Sequence, residues 1–180
     1  MRTFIWILIA IVAAAIFVLA PLRWPDAISA TRIVDGIDIA AAPERVFAYV
    51  TAPVNWPRWH PQSRAVYGTI DRTPQPGEQT IEDFEIAGRK GRATWISVAV
   101  DPPRRWEFEG AGDNGGGARI IYTLTPLGTG THFERELVYR GPNLLFAIVN
   151  ALRVRAVMEV DSAEAVQRLK RAIEALPASS

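Results

Sequence analysis

Few residues in this chain are of types that carry chemistry, and their spacing narrows the options. There are two histidines, His60 and His132, with no HxH or HExxH pair. A metal centre needs three or four convergent ligands, so no resident metal is expected. Cysteine is absent, which excludes thiolate nucleophiles, disulfides and thiolate-bound metals. Ser63 lies near His60, but in a proline-punctuated connection and without a GxSxG elbow, so a serine nucleophile has little support. The run GDNGGG over 112–117 reads as a hairpin turn that needs positive φ, not as a phosphate loop. These motifs imply no cofactor.

Carboxylates are more numerous. Asp83 and Glu85, Glu107 and Glu109, and Glu134 and Glu136 are each two residues apart. On a strand such pairs share a face, and a solvated outer face is the plain reading, above all for the last two pairs. Trp106 and Phe108 then point inward, as do Phe133, Leu137 and Tyr139. The same alternation turns two charges inward, Arg135 with Phe133 and Leu137, and Glu82 with Phe84 and Ile86. An inward charge is costly unless it is paired or wetted by a cavity. The expectation is that Arg135, Glu82 or both project into a cavity and orient a ligand's polar end. A bulge or strand end that leads them to solvent is the alternative. Phe84, Trp106, Phe108, Tyr122, Phe133 and Tyr139 all fall on inward positions, which suits a plain core or the lining of an apolar pocket. The hydroxyls of Tyr122 and Tyr139 need partners when buried.

These residues must be positioned by strands and helices, and hydropathy patterning places both. Val34–Ala40 alternates as a strand. Pro43 and Glu44 then suit the first turn of a helix that carries Val46, Phe47 and Val50. Pro53, Pro57 and Pro61 leave room for only a short second helix. Six further strands are expected at Arg64–Ile70, Gln79–Ala87, Arg92–Val100, Arg105–Gly110, Ala118–Thr125 and Thr131–Tyr139. Their short connections imply an antiparallel meander. Helical spacing returns from Asn143 to Leu176. Leu145, Ile148, Val149 and Leu152 mark one face, Val166, Leu169, Ile173 and Leu176 continue it, and a bend is expected near Asp161–Ser162.

The N-terminus reads differently. Phe4 to Leu22 carries no charge, and 19 residues of helix rise about 28 Å, close to the roughly 30 Å of a bilayer core. Trp6 and Trp24 sit near its ends. Residues 1–22 are therefore expected to be a transmembrane anchor, 23–32 a linker and 33–178 one domain. A cleaved signal peptide is the alternative for the first segment. The expected location is a single-pass protein of a bacterial inner membrane, with the side of the domain left open. The chain has 20 basic and 19 acidic residues. That balance argues against a nucleic-acid partner, and an apolar content of 49% argues against disorder.

The stretch IDIAAAPERVFAYVTAPVNWPRWHP over 37–61, with Ala42, Pro43, Glu44, Val46, Phe47, Trp59 and Pro61, resembles the opening of the START-like SRPBCC superfamily. Its nearest branch is the polyketide cyclase/dehydrase and lipid-transport group. DPPRRWEFEG over 101–110 and PLGTGTHFERE over 126–136 also match its style. The resemblance implies an α+β helix-grip fold, a curved seven-stranded antiparallel sheet around one long C-terminal helix. It also implies a deep cavity between sheet and helix for an apolar ligand. Trp59 would stand near the cavity mouth as a lid or, the preferred of the two places, pack the short helices on the sheet, and the helix residues Leu145 and Val149 complete the expected ligand contacts. The resulting expectation is a membrane-tethered binding domain for a lipid or other hydrophobic small molecule, with no catalytic residue assigned. A cyclase/dehydrase-like enzyme using a cavity acid or base is the alternative.

Overall fold

Alternating apolar residues build seven strands, and the hydrogen-bond ladder joins them in one antiparallel sheet. The computed structural model describes residues 2–22, 30–113 and 115–177. The strands are β1 (Thr31–Ile39), β2 (Ser63–Gly68), β3 (Gln79–Ile86), β4 (Arg89–Asp101), β5 (Arg105–Gly112), β6 (Gly117–Leu127) and β7 (Gly130–Arg140). Their spatial order is β1-β7-β6-β5-β4-β3-β2. The last six thus form a consecutive meander, and β1 closes onto β7 with Asp35 opposite Arg135. Between β1 and β2 lie α2 (Pro43–Thr51), a 3-10 turn at Pro53–Asn55 and the single turn α3 (Trp56–Trp59).

The inward face of the sheet is covered by the C-terminal helix. It runs as α4 (Leu144–Val149), a π-helical turn (Asn150–Val154) and α5 (Arg155–Glu174). Asn143 caps α4, its Oδ1 accepting from the Phe146 amide at 2.9 Å. The irregularity therefore falls at Asn150, not at the expected Asp161–Ser162. The π turn adds a residue to one helical turn and rotates the face that follows. The buried stripe consequently runs through Asn150, Met158, Ser162, Val166, Leu169 and Ile173. Ile148, Val149 and Leu152, expected on the covered face, are exposed, as is Leu176.

Asn150 holds this turn to the sheet. Its Oδ1 accepts from the Tyr139 hydroxyl at 2.6 Å, and its Nδ2 donates to Thr31 Oγ1 at 2.9 Å. All three residues are buried. Asn150→Ala removes two buried hydrogen bonds and is expected to cost about 2 kcal/mol of unfolding free energy, read as a shift in urea midpoint.

The structure corrects the expected membrane span over 4–22 and the single-pass membrane location built on it. Helix α1 is Arg2–Leu19 and stops three residues short of the apolar run. Pro21 is the reason, because its ring disfavours helical backbone at Ala20 and blocks the next helical turn. Among the described residues no helix is long and apolar enough to cross a membrane. The segment after α1 instead meets the domain, where the Leu144 amide donates to the Leu22 carbonyl at 2.8 Å. Most of the expected linker, residues 23–29 with Trp24, lies outside the described residues, as does residue 178.

Candidate functional site

A cavity of about 520 Å³ lies between the inward face of the sheet and the C-terminal helix. Its walls are apolar. Phe84, Trp95, Phe108 and Ile120 come from the strands, Trp56 from α3, and Phe146 and Met158 from the helix. Two glycines make room for the rings. Gly91 pairs with Phe84 across β3 and β4, and Gly110 pairs with Trp95 across β4 and β5. A Cβ on Gly91 would lie 2.6 Å from Phe84 Cζ, and one on Gly110 would lie 2.7 Å from Trp95 Cδ2. Both rings therefore lie flat on bare backbone.

The ends of the cavity differ. Arg89, Lys90, Arg140 and Val149 line it and are exposed, so they mark the open end. His60, Gln62, Glu82, Tyr122 and Arg135 mark the inner end, and all but His60 are buried. Arg135 is 2% exposed. Its Nη1 donates to Ser162 Oγ at 3.1 Å and its Nη2 to His60 Nε2 at 3.0 Å. Glu82 is 7% exposed, and its Oε2 accepts from Trp95 Nε1 at 2.8 Å. Gln62 Nε2 donates to Asp161 Oδ2 at 2.9 Å and tethers α5 to the end of the α3 loop.

Burial and the neighbouring guanidinium hold His60 well below the usual imidazole range. The ring is neutral at pH 7. Because Nε2 accepts from Arg135, the proton is on Nδ1, which meets no hydrogen-bond acceptor. Burial pushes the Glu82 carboxyl up, against contacts with Ser63, Trp95 and Arg135 that favour its anion. The two groups act on stability with opposite signs. Below about pH 6.5 the unfolded chain takes up a proton that folded His60 resists, so stability falls with pH. Above the ordinary carboxylate range folded Glu82 retains a proton that the unfolded chain has lost, so its contribution falls as pH rises. His60→Gln is expected to flatten the acid fall of the urea midpoint between pH 6.5 and 5, and Glu82→Gln to steepen it.

The expected ligand contacts divide in two. Glu82, Phe84, Phe108, Tyr122, Arg135, Tyr139, Leu145 and Val149 line the cavity, Val149 only at its open end. Trp59, Trp106 and Phe133 do not. They form solid core behind it, where Trp59 packs edge-on against Tyr122 and Phe133 at centroid distances of 6.0 and 6.5 Å. Trp59 is fully buried and packs α3 on the sheet, the second of the two places expected for it. Glu107 also departs from expectation. It points outward but is buried beneath Arg105, at 2.6 Å, and Arg119. Burial alone would raise its carboxyl, and the two guanidiniums hold it below the usual range instead.

Among the lining residues that escaped the sequence reading are Trp56, His60, Gln62, Trp95 and Met158. Trp95 shares a strand face with the buried Ala93 and Ser97, so its strand carried the signal. Trp56, His60 and Gln62 lie among prolines where no periodicity exists. Met158 became visible only once the π turn had reset the helix face. Asp35, inward-facing by its own alternation with Val34, was also missed.

A family model described as "Polyketide cyclase / dehydrase and lipid transport" matches residues 30–174. No curated protein matches the chain. Solved structures show the same fold at low identity. A Thermus thermophilus protein is 20% identical with a TM-score of 0.66, over 83% of this chain and all of its own. A START superfamily protein from Mycobacterium smegmatis is 19% identical with a TM-score of 0.58, over 79% of this chain and 94% of its own. The di-domain ARO/CYC BexL is 18% identical with a TM-score of 0.63, over 85% of this chain and 52% of its own.

Proposed function

We propose a function from one premise: the chain belongs to the polyketide cyclase / dehydrase and lipid transport family. Its cavity is the binding site for one hydrophobic small molecule or lipid. The observation that carries this reading is an aromatic-walled space of about 520 Å³, open at one end and polar at the other, between sheet and helix. That volume is within the roughly 300–1,000 Å³ of ordinary small-molecule sites. The aromatic walls remove the apolar body from water, and the inner polar groups give it one orientation.

Trp56 and Trp95 line the space and supply the assay. The full-length chain is titrated with N-phenyl-1-naphthylamine, a neutral apolar fluorophore, and energy transfer from tryptophan is recorded. Saturable uptake of one probe per chain, displaced by the organic extract of the freshly purified protein, is the expected result. No saturable uptake would remove the reading.

A cyclase-like reaction in the same cavity is the second reading, and Glu82 favours it. Burial holds this carboxyl toward its protonated form beside Arg135 and Trp95, as a general acid requires. Turnover of an aromatic polyketide precursor that disappears in Glu82→Gln, with probe uptake retained, would establish it.

A further inference from the structure

We infer that the guest is an amphiphilic acid whose anionic end is held by Arg135 at the inner end of the cavity. This rests on the reading of the cavity as a ligand site and adds the chemical class of the ligand.

The argument is one of unmatched charge. Arg135 is almost wholly buried, yet the groups hydrogen-bonded to it, Ser162, the neutral ring of His60 and the Tyr122 hydroxyl, carry no charge. Its Nε–H meets no acceptor. Asp35 stands opposite Arg135 in the β1–β7 register, but one oxygen of its carboxylate is itself buried without a donor, and Asp35 does not line the cavity. Glu82 acts on Arg135 through space, while its Oε2 is engaged by Trp95. Among the described residues no carboxylate is hydrogen-bonded to the guanidinium. A buried cation is costly until an anion pairs with it. Next to it, His60 offers a second N–H with no acceptor on Nδ1. The surroundings thus supply donors and one positive charge at the closed end, and apolar rings along the wall. A carboxylate or another delocalised oxyanion is the group that matches donors of this kind.

The matched probe to N-phenyl-1-naphthylamine is 8-anilinonaphthalene-1-sulfonate, the same apolar body with an anionic group added. Both are titrated into the full-length wild-type chain, Arg135→Gln, Arg135→Lys and the double variant Arg89→Gln/Lys90→Gln. The expected result is sulfonate binding about tenfold or more tighter than the neutral probe, the scale of one charged hydrogen bond. That preference should vanish in Arg135→Gln, return in part in Arg135→Lys and persist in the double variant. Near-UV circular dichroism checks that each variant keeps its packed aromatic core. Equal affinity of the two probes for wild type overturns the inference while leaving the ligand site standing. So does a preference that survives Arg135→Gln but is lost in the double variant, because the exposed cations of the open end would then be its source. Uptake of neither probe removes the ligand site itself.

Discussion

Replacing Trp106 by alanine is expected to lower the unfolding free energy by about 3–5 kcal/mol, the upper range for buried residues. Trp106 is 1% exposed and joins rings of β5, β6 and α3. It stacks on Phe108 at 4.1 Å and meets Tyr122 at 5.7 Å and Trp56 at 6.1 Å. Its Nε1 donates to Ser97 Oγ at 3.0 Å, and Ser97 is buried, so the alanine variant also leaves a stranded hydroxyl. That hydroxyl sits where the β4–β5 register shifts, between Ser97 and Ala99, and Trp106 bridges the bulge. Trp106→Phe keeps most of the volume and loses the hydrogen bond, so it should cost only about 1–2 kcal/mol. Urea denaturation of the three proteins checks the order. A Trp106→Ala loss below that of Trp106→Phe would show that Trp106 is not part of the packed layer.

Trp106 also shows where sequence reasoning reaches its limit. Alternation along β5 puts Trp106 and Phe108 on one face, and both do point inward. Yet Phe108 lines the cavity and Trp106 does not. What separates them is the position of α3 over the sheet, a packing relation with no periodicity to announce it. The inward charges were legible for the opposite reason. Strict alternation in β7 fixes Arg135 between Phe133 and Leu137, and one misplaced residue would have turned all of them out. The apolar run at the N-terminus misled because hydropathy alone does not mark where a helix ends, and Pro21 ends it early. Glu107 misled because alternation assigns a face, not a solvent exposure, and arginines on neighbouring positions can roof an outer face as well.

The helix face was half legible. Through Val166, Leu169 and Ile173 the apolar spacing and the burial agree, since a regular α-helix repeats its face predictably. Before them, the π turn at Asn150–Val154 shifts the phase, so Ile148, Val149 and Leu152 no longer share the face of Val166 and Leu169. The only local hint was Asn150, a polar residue at an otherwise apolar stretch, which two buried hydroxyls require.

The second large effect is expected from a residue with no side chain. Gly110→Val should cost about 3–4 kcal/mol and abolish uptake of both naphthalene probes. Gly110 is the backbone on which the Trp95 ring lies, and a Cβ there would come within 2.7 Å of three of its carbons. Neither side can yield cheaply. The backbone of Gly110 is fixed in the ladder between β4 and β6. The Trp95 ring is flanked by Phe108 at 5.3 Å and Trp56 at 6.4 Å. It can turn only toward the cavity that it lines, which closes the space a guest would fill. The move also withdraws Nε1 from Glu82, leaving a buried carboxyl without its donor, so the inner end is altered along with the wall. Trp95→Phe in the Gly110→Val background shrinks the displaced ring and should restore part of the uptake, although Glu82 stays unpartnered on that side. Gly88 serves as the comparison, since a Cβ there meets nothing within 4 Å; it has φ +81°, so Gly88→Asn is the mild choice for the left-handed turn. Its probe uptake should match wild type. If Gly110→Val binds the probes as Gly88→Asn does, the ring does not lie where the cavity needs it, and Trp95 cannot be part of the wall.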